Sequence, residues 1–160
     1  MSSLPQLIEE DISEINSALQ DLCFKGDASI AFLIDKGGFV ITQSGPGADF
    51  DVMTLAALSA ASFAATECIA SLVHEKNFSS IYQQGESFSV LVLNVDEHSL
   101  LTVIFAANLS VGAIKYYSTD IVRRIAMALQ IAENREPGAG LDLSMLNLAD
   151  PSPLFRRKSG

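Results

Sequence analysis

Basic side chains are scarce in this sequence, tryptophan is absent, and there are only two cysteines. Nineteen Asp and Glu face ten Lys and Arg, a formal net charge of −9. Three of the ten cations, Arg156, Arg157 and Lys158, sit beyond the last acid, Asp150. The chain before them holds 7 basic and 19 acidic residues, a net of −12. Such a body repels nucleic acid and anionic membrane and suits a partner with a basic surface. Cys23 and Cys68 form no CxxC pair, so neither a disulfide framework nor a zinc knuckle is expected. Free thiols fit a reducing cytosol. Residues 1–10 lack the basic start and apolar core of a signal peptide. A cytoplasmic address is the expectation. Residues 52–73 hold one charge, Glu67, but are rich in Ala, Ser and Thr. A buried helix is expected there rather than a membrane-inserted one.

What is present in quantity is apolar. Of 160 residues, 49% are hydrophobic and 18% charged, against roughly 25% charged in an ordinary globular domain. That length suits a single domain with a sizeable core. A charge-poor small domain commonly hides apolar surface against a partner or a second copy.

Periodicity divides the chain. Ile8, Ile12, Ile15, Leu19 and Leu22 recur in steps of four and three, which predicts an amphipathic helix over residues 7–22. Strands are expected at 28–34 and 39–42, joined by a tight turn at Asp35-Lys36-Gly37-Gly38. After a Gly/Pro loop at 44–48, Asp49 or Asp51 caps a long helix that runs to about His74. Three further strands are expected at 79–83, 87–95 and 99–106. The second of these is apolar enough to be covered on both faces. A last helix begins near Asn108 or Ser110 and carries Ile114, Tyr117, Ile121, Ile125 and Leu129 to about Glu133. Glu136-Pro137-Gly138-Ala139-Gly140 ends it. The domain is placed at 1–135, and 136–160 is read as a mobile tail with a short docking segment. The order α-β-β-α-β-β-β-α predicts an α/β (α+β) sandwich: a five-stranded, mainly antiparallel sheet with helices on both faces.

The second helix has two stripes. Leu55, Leu58, Ser62, Ala65, Ile69 and Leu72 are expected to face the sheet. Ala57, Ala60 or Ala61, Ala64, Cys68 and Ser71 form a second stripe in which every residue is small. Small residues let another backbone approach closely, so this stripe is the candidate partner surface. The competing reading is packing inside the domain, since Ala also simply favours helix.

Other motifs have ordinary explanations. Gly45-Pro46-Gly47 lies where a phosphate loop would, but lacks the Lys-Ser/Thr pair and is followed by Asp49 and Asp51. His74 and His98 lack metal-ligand spacing. Cys68 reads as a small buried or interface residue rather than a reactive thiol. Tyr116 and Tyr117 read as core plus rim. No catalytic set emerges, and neither a cofactor nor a metal is expected.

The hairpin Phe32-Leu33-Ile34-Asp35-Lys36-Gly37-Gly38, the helix start Asp51-Val52-Met53-Thr54-Leu55-Ala56-Ala57-Leu58 and Val103-Ile104-Phe105 before Leu109-Ser110-Val111-Gly112 resemble the Roadblock/dynein light chain family. The resemblance covers residues 7–133 and leaves the tail unmatched. It implies a homodimer joined sheet to sheet through the middle strand, matched here by Ser79, Ser80, Ile81, Tyr82 and Gln83, with the second helices paired. It implies a Ras-like small GTPase on the paired-helix side, whose GTP hydrolysis is stimulated by remodelling of its own loops. A role in cell polarity or motility, with an address at a cell pole, follows from the same resemblance. Leu154, Phe155, Arg156 and Arg157 combine apolar anchors with charge and are candidate tail contacts. A scaffold without effect on turnover, or a small-molecule sensor, are the alternative functions.

Overall fold

The computed structural model describes residues 3–47 and 49–135. Eight elements follow in the expected order: α1 (Glu9–Gly26), β1 (Ile30–Asp35), β2 (Val40–Ser44), α2 (Val52–Leu72), β3 (Ser80–Gln84), β4 (Phe88–Asn94), β5 (Ser99–Ala106) and α3 (Val111–Asn134). The strands form one antiparallel sheet in the order β2-β1-β5-β4-β3. Tail positions Leu154, Phe155, Arg156 and Arg157, and the boundary at 136, lie outside the described residues.

Strand alternation sends side chains to two separate cores. Ala31 and Leu33 of β1, Leu91 of β4 and Leu101, Val103 and Phe105 of β5 meet α1 and α3. Ile30, Phe32, Ile34, Val92, Leu100 and Ile104 point the other way, toward α2. The sheet is therefore covered by two helices on one face and one on the other. Expected burial of β4 on both faces holds at its centre, where Ser89, Leu91 and Val92 are buried. Its first residue, Phe88, is exposed.

Helix ends are set by local chemistry. Asp51, rather than Asp49, caps α2: its carboxylate accepts from Thr54 N at 3.1 Å and from Thr54 Oγ1 at 2.6 Å. Ser110, rather than Asn108, caps α3 through Ala113 N at 3.4 Å. These bonds satisfy donors that the first helical turn leaves free.

α1 and α3 run antiparallel and are held by ion pairs at two levels. Arg124 donates to Asp21 at 2.6 Å and to Glu14 at 3.5 Å. Arg135 donates through both terminal nitrogens to Asp11, at 2.8 and 3.0 Å. Asp11 also accepts from Ile8 N at 2.9 Å, closing the first turn of α1. Its side chain is only 6% exposed. The Arg135 guanidinium holds the Asp11 carboxyl below its ordinary pKa, and the Ile8 amide adds to this. A depressed carboxyl stabilises the fold above its unfolded pKa of about 3.9 and loses that contribution as pH falls through the folded value. Asp11→Asn is therefore expected to lower the urea midpoint at pH 7. The gap from the parent is expected to narrow below about pH 4. A gap that stays constant to the acid limit would show that the ionised pair contributes nothing.

Candidate functional site

α2 packs its core side with small residues. Ala56, Ser59, Ala60, Phe63 and Ala70 are buried, and Val52 and Leu55 pack at their margin. This differs from the expected sheet-facing stripe. Leu58, Ile69 and Leu72 are 59%, 51% and 78% exposed, and Ala65 is exposed as well. The β1–β2 turn comes close to α2: a Cβ on Gly38, at φ +94°, would sit 3.0 Å from Ala57 Cα.

Of the small stripe, Ala57, Ala61, Ala64, Cys68 and Ser71 are exposed. Ala60 is a correction: at 7% exposure it belongs to the core beneath α2, so Ala61 continues the outer stripe. Cys68 is likewise not buried within this chain. With Met53, Leu58, Ile69, Leu72 and Val73, the stripe forms a continuous apolar outer face. By length and composition α2 could cross a membrane, yet only 22% of its most apolar window is buried. Lys36 steadies it from the turn: its ammonium lies 3.6 Å from Glu67 and 5.5 Å from the centre of the Phe63 ring.

The expected interface strand is found as β3, Ser80–Gln84, one residue later than read, with Ser79 just outside it. β3 pairs only with β4 and forms one edge of the sheet. Ile81 packs toward the α2 side and Tyr82 toward the α1–α3 side, where it stacks on Phe105 at 6.3 Å. Gln83 is exposed. The β3 edge presents unpaired backbone, and the outer face of α2, over the other half of the sheet, presents uncovered apolar side chains.

Other singled-out residues have structural roles. Gly45, at φ +121°, lies where a Cβ would meet Ser29 O at 2.7 Å, so that loop packs on β1. Cys23 donates to Ser44 O at 3.4 Å, and burial pushes its thiol pKa up. His74 sits at φ 60° in the turn that ends α2. His98 lies 4.0 Å from Glu97. Among the described residues no three His, Cys, Asp or Glu come together as metal ligands. Tyr117 packs on the core while Tyr116 is exposed. The three described arginines lie on α3 or directly after it. Arg123 pairs with Asp120 on its own helix, and Arg124 and Arg135 pair with α1. The uncovered leucines were missed in the sequence because α2 is apolar all round, so no contrast marks its buried side.

The family model of the Roadblock/LC7 domain matches residues 16–105, more than half of the chain, and the chain belongs to that family. Among solved structures it is similar to Myxococcus xanthus MglB, with 25% identity over 82% of this chain and 99% of that one and a TM-score of 0.76. A structure described as MglB with tetrameric arrangement is 26% identical over the same shares, with a TM-score of 0.76. The gliding protein MglB from Thermus thermophilus is 25% identical, again over 82% and 99%, with a TM-score of 0.75. No curated protein matches the chain.

The two sides of α2 are expected to respond oppositely to substitution. Cys68→Arg or Ala64→Arg adds a charged chain on the exposed side and is expected to shift stability by about 0.5 kcal/mol or less. Phe63→Ala empties a buried site and is expected to cost about 3–5 kcal/mol. Urea unfolding followed by circular dichroism measures both. Unfolding of the arginine variants would show that the stripe is core.

Proposed function

We propose that this chain is a cytoplasmic, non-catalytic adaptor that forms a homodimer with its α2 helices paired, binds a Ras-like small GTPase on the paired-helix side and stimulates its GTP hydrolysis. The observation that carries the reading is that outer face. Burying large apolar side chains contributes about 1.5–3 kcal/mol each, and Met53, Leu58, Ile69 and Leu72 forgo it in the single chain. A partner laid on α2 recovers it. The stripe of Ala57, Ala61, Ala64, Cys68 and Ser71 allows that partner's backbone to come close. The β3 edge, with Ser80, Ile81, Tyr82 and Gln83, offers the sheet-to-sheet junction. Similarity to an MglB with tetrameric arrangement supports self-association. Service in cell polarity or gliding motility, and a polar address, extend the same similarity.

Stimulation without a donated arginine is supported by where the three described arginines lie, and Arg156 and Arg157 of the tail would lose entropy on being fixed at a phosphate. An arginine finger must reach the transferring phosphate and raises the rate by roughly 10³–10⁵. Arg124 and Arg135 are committed to α1, on the face opposite α2. Arg123 lies on the same helix as Arg124, paired with Asp120. The dimer then acts by binding the hydrolysis-competent conformation of the GTPase more tightly than the resting one.

Single-turnover hydrolysis by a Ras-like GTPase of the same genome, at saturating adaptor, tests this. Cys68→Arg is expected to abolish stimulation. Arg123, Arg124, Arg135, Arg156 and Arg157, each changed to Ala, are expected to retain it within about tenfold. A thousandfold loss at one arginine, with binding intact, would identify a finger. Binding with no change in turnover would favour the scaffold reading.

A further inference from the structure

A cleft of about 580 Å³ opens between the last turns of α1 and the first half of α3, on the side of the sheet away from α2. The two helices touch beneath it. Gly26 ends α1 there, and a Cβ on it would meet Ile114 at 3.3 Å and Tyr117 at 3.8 Å. Leu22 and Ile121, both buried, form the floor. Tyr116 stands at the rim, 77% exposed, with its ring edge-on to Tyr117 at 5.5 Å.

The charge of this region runs against the rest of the chain. Lys25 and Arg123 line the cleft. Lys115 lies one turn before Thr119, whose hydroxyl donates to Lys115 O at 2.9 Å. Three of the seven cations before the tail thus gather here. The nearby acids are Asp120 and, just past the end of α1, Asp27. Asp120 is paired with Arg123 on the same helix, an exposed pair of the kind that solvent screens heavily. Lys25 and Lys115 have no salt bridge among the described residues. Two unpaired ammonium groups beside an exposed ring favour an occupant that is both anionic and aromatic.

Shape decides what kind of occupant. A pocket for a small ligand encloses it and buries a few polar groups. Here Lys25, Asp120 and Arg123 are all exposed, so an extended segment of another protein fits better. Between Tyr116 and Arg123, α3 advances about 10 Å. An extended chain covers that distance in about three residues.

We infer that this cleft docks an extended segment of a partner protein that carries an aromatic side chain with acidic residues about three positions away. The ring packs on Tyr116 and the acids meet Lys25 and Arg123. The site lies on the face opposite α2, so it does not compete with a partner held there.

A fluorescein-labelled hexapeptide with one central Phe flanked by Glu, titrated with the full chain and followed by fluorescence polarisation, tests this. The parent chain is expected to bind it, more weakly as salt rises. Lys25→Glu with Arg123→Glu, both at exposed positions, is expected to weaken binding at least about tenfold with circular dichroism unchanged. Tyr116→Ala is expected to weaken it as well. Lys76→Glu, an exposed charge reversal after α2, is expected to leave it within about twofold. No binding to the parent chain up to about 1 mM would overturn the proposal. So would an unchanged affinity in the Lys25→Glu, Arg123→Glu variant, an equal loss in Lys76→Glu, or equal binding of an all-Glu hexapeptide. Sedimentation of the parent chain with phosphatidylserine–phosphatidylcholine vesicles, abolished by Lys25→Glu with Arg123→Glu, would assign the patch to a membrane surface and overturn it too.

Discussion

Width is the constraint on which this molecule depends. Five strands spaced about 4.8 Å apart span about 19 Å between the outer two, while a helix covers about 10 Å. Two helices therefore close one face of the sheet, and α1 with α3 do so. One helix cannot close the other. α2 lies over β2, β1 and β5, and the half of that face formed by β4 and β3 has only partial cover. Phe50 reaches Phe88 edge-on at 5.3 Å, yet Phe88 remains exposed. The partly covered half-sheet borders the β3 edge, and the outer side of α2 is a further uncovered apolar surface.

The closed face is built differently. Its helices are pinned by Arg124 on Glu14 and Asp21 and by Arg135 on Asp11. The Asp11 pair is nearly buried, and breaking such a pair is costly because the remaining charge has no partner. Cations are few in this acidic chain, and two of the seven before the tail are committed here. The open face consequently has Lys36 as its anchored cation, drawn to Glu67 and the Phe63 ring. The proposed adaptor would meet its partners by apolar contact and shape, with charge acting mainly in long-range attraction to basic surfaces.

The element order and the hairpin joins that make the sheet antiparallel were legible in the sequence because each is local, and each of two helix caps was narrowed to a pair of candidates. Asp35-Lys36-Gly37-Gly38 announces its turn, and the apolar run after the turn at Asp96-Glu97-His98 announces β5. α1 shows the same legibility: Ile15, Leu19 and Leu22 are buried as their spacing predicts. α2 was legible as a helix but not as a surface. Its leucine stripe looked like the core side, and the structure puts Leu58, Ala65, Ile69 and Leu72 outside while Leu55 packs at the core margin, with Ala56, Ala60 and Phe63 within. A helix with contrast between faces reports its buried side; a helix apolar all round reports only that it is covered somewhere. Which side meets its own sheet is set by packing against strands distant in sequence, through Ala56, Ala60 and Phe63. The same property that defeated the reading makes α2 a candidate interface. The β3 edge was placed to within one residue, since Ile81 and Tyr82 carry a strand pattern, but its position at the sheet border is set by pairing that no short segment reveals.

The mass of the protein in solution bears most directly on the claim that a second copy completes the open face. The chain weighs 17.1 kDa. Light scattering at micromolar concentration is expected to return twice that mass for the parent chain and to fall toward the single-chain value for Cys68→Arg with its circular dichroism unchanged. A parent chain that scatters as a 17.1 kDa monomer would mean that the open face is left uncovered, and the account given for α2 would be contradicted.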